Sequence, residues 1–314
     1  MKKTLGQAFA FVGTVIGAGF ATGKEILLFF GNSSFISIFI AGFLLSLFCY
    51  CFLRLGSIYG NIFFAFGKFK LIVKIFIIIA NICVFCATLA GAEEVIFNIF
   101  HFHGGGIITA IITLIIVFFG VNAIKIVNLV IVPAIIVIIT IIFFKDSQYD
   151  LNGKISFILP FCYASMNLST GGFFIGKNAV GFTKKDCLTC SAISGLILTI
   201  LMFFIYCIVK NVDSSMPFIA KSVVLGFGII ANVVLYLAML TTLIGTLDVS
   251  ALNNKYFAIL ITAIGLLVST FGFSNIVNSL YPIMGAVGGV ITVSSVVILI
   301  LNPRLSRCYN RLSL

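Results

Sequence analysis

The chain reads as an all-α membrane protein of about ten transmembrane helices, with the first and the sixth interrupted in mid-span. Three observations predict this. Hydrophobic residues fill 61% of the 314 positions and charged ones only 9%, with a mean hydropathy of +1.28, a composition outside the range of soluble domains. Apolar runs of about 20 residues, the length that crosses a bilayer, recur along the chain. Two of those runs carry clusters of helix breakers at corresponding places in two five-helix halves.

The first run, residues 4–31, contains Gly13, Gly17, Gly19 and Gly23 within GTVIGAGFATG. Each glycine weakens a helix relative to alanine. Lipid offers no water to the backbone groups that a break sets free, so a break is tolerated only where it faces protein or a wet cavity. Runs at 35–54, 71–99, 106–121 and 124–144 follow without such clusters. The sixth run, 155–177, is interrupted by Asn167-Leu-Ser-Thr-Gly-Gly172, and the remaining runs lie at 187–209, 217–247, 256–272 and 275–301. All belong to a single transmembrane domain, with repeat one over 4–144 and repeat two over 155–301. Paired interruptions in corresponding halves mark inverted-repeat transporters and point to a site near the membrane midplane.

The net charge of +11 does not indicate nucleic acid, because the basic residues are scattered between apolar runs rather than gathered in one stripe. They fit the positive-inside rule instead. With a cytoplasmic N-terminus, Lys2, Lys3, Arg54, Lys68, Lys70, Lys74, Lys125, Lys177, Lys184, Lys185, Lys255, Arg304, Arg307 and Arg311 fall inside. Lys145, Lys154, Lys210 and Lys221 fall outside. An even number of spans preserves this bias and places both termini in the cytoplasm of a multi-pass cell-membrane protein. The Lys2–Lys3 start lacks an A-x-A cleavage pattern and is expected to be retained.

The motif GTVIGAGFATGKEI resembles the opening helix of the YkvI-type bacterial membrane proteins, uncharacterised relatives of the amino acid–polyamine–organocation transporters, which share the LeuT fold. The likeness covers the whole chain in span count and break positions. It implies a five-plus-five inverted repeat with discontinuous helices 1 and 6, and a central site between helices 1, 3, 6 and 8. By the same resemblance, Gly13 and Ile16 supply two carbonyls to a sodium site, and Ala238, Thr241 and Thr242 supply one carbonyl and two hydroxyls. The spacing of those three puts them on about one helical turn. Proton-coupled relatives place a lysine amine at this spot from helix 5. The run 126–144 has none, which favours sodium.

For the substrate, Gly17, Ala18 and Gly19 are the expected backbone cradle of a carboxylate; the competing reading is a small-residue packing seam. Ser165, Asn167, Ser169 and Thr170 either face the same cavity or cap the freed helix ends, and both can hold at once. Lys24, Glu25, Glu93 and Glu94 lie within the membrane thickness, where a charge needs a partner or water. An ion pair between Lys24 and Glu93 or Glu94 is expected at an outer gate, the alternative being snorkelling toward the headgroups. Tyr163 and Tyr281 are candidate cavity linings.

Cys83-x-x-Cys86 and Cys187-x-x-Cys190 have zinc-type spacing, but they fall at different depths and cannot share a metal. A membrane enzyme would need a catalytic cluster at one depth, and none is visible. The expected activity is therefore secondary active transport of a small solute, most plainly an amino acid, driven by sodium through alternating access. A receptor-like permease homologue that senses a small molecule is the alternative. The expected partners are an amino acid-like substrate and the lipid bilayer, with no cofactor beyond a bound sodium ion.

Overall fold

A computed structural model describes residues 2–119, 124–146, 153–251 and 254–301. Arg304, Arg307 and Arg311, used above for orientation, lie outside the described residues, as do the side chains of Lys2 and Lys125. The described chain is all-α; its one strand-like feature is an isolated bridge between Ser33 and Lys154. Six helical segments are long and apolar enough to cross a membrane, namely Ile36–Tyr59, Ile62–Phe100, Ile158–Lys177, Lys184–Val209, Gly228–Ala251 and Phe273–Leu301. Gly105–Phe119, Val130–Lys145 and Lys255–Ser269 are apolar but shorter. It is an all-α, multi-pass membrane protein.

The first run folds as three helices, α1 (Lys2–Val15), α2 (Ala18–Ala21) and α3 (Lys24–Phe30). Gly17 is extended at φ −87°, ψ −169°, which ends the α1 ladder. Gly23 sits at φ 78°, a left-handed conformation open to glycine at little cost, and turns the chain from α2 into α3. A Cβ there would also stand 2.8 Å from Val209 Cγ1. The carbonyl of Thr22, freed at this second break, accepts from the Phe218 amide at 2.9 Å. The interruption expected from the glycines is present, and the chain answers it internally as a membrane interior requires.

Helix α4 (Ile36–Tyr59) leads through a 3-10 segment (Ile62–Phe69) into α5 (Lys70–Phe100), followed by α6 (Gly105–Phe119) and α7 (Ile124–Lys145). The sixth run contains α8 (Ile158–Asn167), a π turn (Leu168–Gly172) and α9 (Phe173–Lys177). Here expectation and structure part. The segment is bulged, not severed: Asn167, Leu168, Gly172 and Phe173 all keep right-handed helical angles. The Ser169 hydroxyl donates to the Ser165 carbonyl at 2.8 Å and that of Thr170 to the Asn167 carbonyl at 3.2 Å. Groups that a break would free are thereby held within a widened turn.

The remaining helices are α10 (Lys184–Val209), α11 (Pro217–Val224), α12 (Gly228–Ala251), α13 (Lys255–Ser269) and α14 (Phe273–Leu301). The expected run 217–247 is thus divided. Gly226, at φ 81°, closes α11 before α12 begins. Small residues set the close crossings, as is usual where apolar side chains gain little by leaving lipid. Gly195 of α10 packs on Ser46 of α4, and Gly285 and Gly289 of α14 lie on Cys162 and Phe161 of α8.

Hydrogen bonds and ion pairs identify the two ends of the bundle. At one end the Gln7 side chain donates to the Ile175 carbonyl at 3.0 Å, and Thr4 meets Asp186 of the α10 capping box at 3.5 Å. At the other, Tyr206 donates to the Ser33 carbonyl at 2.9 Å, Lys221 pairs with Asp146 at 2.7 Å and Ser215 donates to Glu94 at 2.8 Å. The α1–α3 break lies between these ends.

Candidate functional site

Around its break the first segment meets α12, α5 and α14, with the π turn beside α1. Gly17 faces α12, where a Cβ on it would meet Thr242 Cγ2 at 3.5 Å. Ala18 lies against Gly91 of α5, beside Met239 of α12 and Phe273 of α14. Gly171 of the π turn faces Phe11 and Thr14 of α1. The elements that correspond to helices 1, 3, 6 and 8 of the expected site are therefore neighbours around the break. Ala18, Phe20 and Ala21 are fully buried.

At the break the Gly17 amide donates to the Val15 carbonyl at 2.8 Å, so the Gly13 carbonyl lacks the amide that a continuous helix would give it. Opposite, the hydroxyls of Thr241 and Thr242 both donate to the Ala238 carbonyl, at 2.9 and 3.1 Å. Gly13 and Ile16 thus lie on the segment that meets α12 through Gly17 and Thr242.

Gly19 has a different neighbour from the one expected. A Cβ built on it would stand 2.6 Å from Glu25 Oε2 and 2.9 Å from Tyr281 Cε2. The carboxyl group against Gly19 belongs to the protein itself. Glu25 is only 3% exposed. Its Oε1 accepts from Asn167 Nδ2 at 3.1 Å, and Asn167 also donates to the Tyr163 carbonyl at 3.1 Å. The Tyr163 ring packs edge-on against Phe29 and Phe30. Its hydroxyl stands beside the Glu25 carboxyl group and has no other partner. Tyr163 and Tyr281, expected as cavity linings, are the two aromatic walls of this carboxyl pocket.

Of the polar residues expected at the second interruption, only Asn167 reaches across to the first segment. Ser165 and Ser169 lie toward α14, where Gly288 accommodates Ser169 Oγ and the Ser165 carbonyl. The Ser165 hydroxyl is buried without a partner, and Thr170 is engaged within its own turn. Ser169 and Thr170 bond carbonyls of their own continuous turn, which has no freed ends to cap.

The expected ion pair between Lys24 and Glu93 or Glu94 is not formed. Among the described residues Lys24 has no carboxylate within ion-pair distance. Glu93 instead accepts from the amides of Gly104, at 2.9 Å, and Gly106, capping α6, with His103 at 3.8 Å. A carboxylate there answers the positive end of the α6 dipole. Glu94 takes the Ser215 hydroxyl. Both glutamates line a cavity of about 580 Å³ together with Asn98, His103, Ser215 and Asn232. No group of three or more metal-binding side chains occurs among the described residues.

For Glu25 the sequence predicts the need for a partner or water without naming the partner. Adjacent helical residues point about 100° apart. Applied to Lys24 and Glu25, that rule sends one of the two inward, and Asn167 in the sixth run was the available polar partner. In comparisons with known proteins, no family model and no curated protein matches the chain.

Proposed function

We propose that the protein is a secondary active transporter of a small amino acid-like solute, coupled to sodium and working by alternating access in the cell membrane, with both termini cytoplasmic. The observation that carries this reading is the interruption at Ile16–Gly17, walled by Gly91 of α5, Thr242 of α12 and the π turn. Broken helices at membrane depth belong to ion and solute sites. We count the broken first segment, the six long helices and the three shorter ones as the ten crossings of a five-plus-five repeat.

In this reading Gly13, Ile16, Ala238, Thr241 and Thr242 hold sodium through hard oxygen donors. The ion joins the α1 break to α12 and so ties ion occupancy to the position of α2 and α3. Gly17, Ala18 and Gly19 form the solute wall, with Asn167 across from them. The present arrangement is a closed one, with Glu25 packed at Gly19, and access requires α2 and α3 to move from α8 and α14. The cavity beside Glu93 and Glu94 is a vestibule at one end of the route.

A thermal-shift screen of the purified protein against the common amino acids, in sodium and in potassium, tests this. Ligands that bind the folded form raise its melting temperature by mass action. The expected result is a shift with one amino acid class that is larger in sodium. No shift with any amino acid in either salt would refute the reading.

A further inference from the structure

We propose that Glu25 is a proton-binding site, occupied in the closed arrangement and emptied when α2 and α3 move away from α8. The inference rests on the transport reading only for that movement; the protonation itself stands on the closed geometry.

Glu25 is buried with Asn167 donating to one oxygen, the backbone of Gly19 against the other, and the Tyr163 hydroxyl beside the group. Among the described residues no lysine, arginine or histidine lies within ion-pair distance of it. The elements packed against α3 bring no counter-charge. On α8, Tyr163 faces it, and on α14, Tyr281 does. On α10, Tyr206 is turned to the Ser33 carbonyl, with Lys210 lying over its ring. Helix α2 has no titratable side chain. Lys24, on α3 itself, is half-buried, and its charge acts on Glu94 rather than on Glu25.

A buried carboxylate without a counter-charge takes the form that needs none. Tyr281, Tyr163, Asn167 and Gly19 close around the group, and the positive charge that fits without rearrangement is a proton. The Tyr163 hydroxyl, buried and with no other partner, stands beside it to accept from the acid O–H. A neutral Glu25 has a second consequence. Gly19 belongs to the proposed solute wall, and an ionised carboxylate there would repel an anionic solute group at close range. The bound proton removes that repulsion, so proton loading and solute loading favour each other.

Infrared difference spectroscopy of the purified protein at neutral pH, wild type against Glu25→Gln, reads the protonation directly. The glutamine variant keeps the shape and a polar group for Asn167, and Glu25→Asp serves as a second variant that keeps the acid. The expected result is a carboxylic acid carbonyl band in wild type, lost in Glu25→Gln and displaced in Tyr163→Phe. Ionised carboxylate bands in place of the acid band would overturn the proposal.

In proteoliposomes given a labelled amino acid mixture, Glu25→Gln is expected to lose accumulation driven by a pH gradient. Accumulation equal to wild type would overturn the role in coupling. Absence of counterflow in wild type would defeat the transport reading, with the acid band still deciding protonation.

Discussion

Asn167 Nδ2 lies 3.1 Å from Glu25 Oε1, a hydrogen bond that joins the π-bulged sixth segment to the broken first one across 142 residues of sequence. The Tyr163 hydroxyl, also from the sixth segment, stands beside this carboxyl group. Asn167→Ala leaves a buried carboxyl oxygen unsatisfied and is expected to cost about 1–3 kcal/mol. Asn167→Asp, which sets two carboxyl groups together, should cost more. Melting temperatures of the solubilised variants check the order: wild type, then alanine, then aspartate.

Gly19→Ala would bring a methyl against Glu25 Oε2 and Tyr281. Overpacking of this kind costs on the order of 1–3 kcal/mol. The collision is with a side chain, so shortening that side chain should relieve part of it. The double variant Gly19→Ala with Glu25→Ala is expected to be more stable than the sum of the single losses, read as a positive coupling in a double-mutant cycle.

Gly23→Ala meets two obstacles at once, a left-handed backbone at φ 78° and the Val209 side chain. The backbone alone costs roughly 1–2 kcal/mol for a residue with a Cβ. Val209→Ala should recover only the steric share. Thermal denaturation of the single and double variants separates the two.

Glu93 and Lys24 should behave unlike an ion pair. Glu93→Ala removes the cap of α6 and is expected to lower stability by about 0.5–2 kcal/mol. Lys24→Ala should change it by less than about 0.5 kcal/mol, since its charge acts on Glu94 only from beyond ion-pair distance. Reversing the charges at Lys24 and Glu93 together should give no rescue of stability over the Glu93 variant alone.

Much of this architecture was legible in the residues, for identifiable reasons. Gly17 and Gly23 sit where the backbone leaves helical geometry, and four glycines in eleven residues have few other uses in an apolar run. The sixth segment shows the limit. Leu168-Ser-Thr-Gly-Gly172 breaks helices in water, yet here the hydroxyls of Ser169 and Thr170 bond their own turn and packing against α1 and α14 keeps the segment helical. Sequence does not distinguish unwinding from a π bulge when the same residues serve both.

Azimuth was the other blind spot. Placing Lys24, Glu93 and Glu94 at similar depth says nothing about which way each points. Glu93 turned to the α6 amides that follow it closely in the chain. Glu25, on the inward face beside Lys24, became the buried charge of the site. Gly226 likewise ends α11 inside an apolar run whose hydropathy passes through without interruption.

The most direct measurement is uptake of a labelled amino acid mixture into proteoliposomes under an inward sodium gradient, with wild type beside Thr241→Ala and Thr242→Ala. Accumulation above equilibrium in wild type, collapsing when potassium replaces sodium and lost in both threonine variants, is the result this account predicts. Wild-type vesicles that neither accumulate nor exchange any amino acid under any gradient would contradict it.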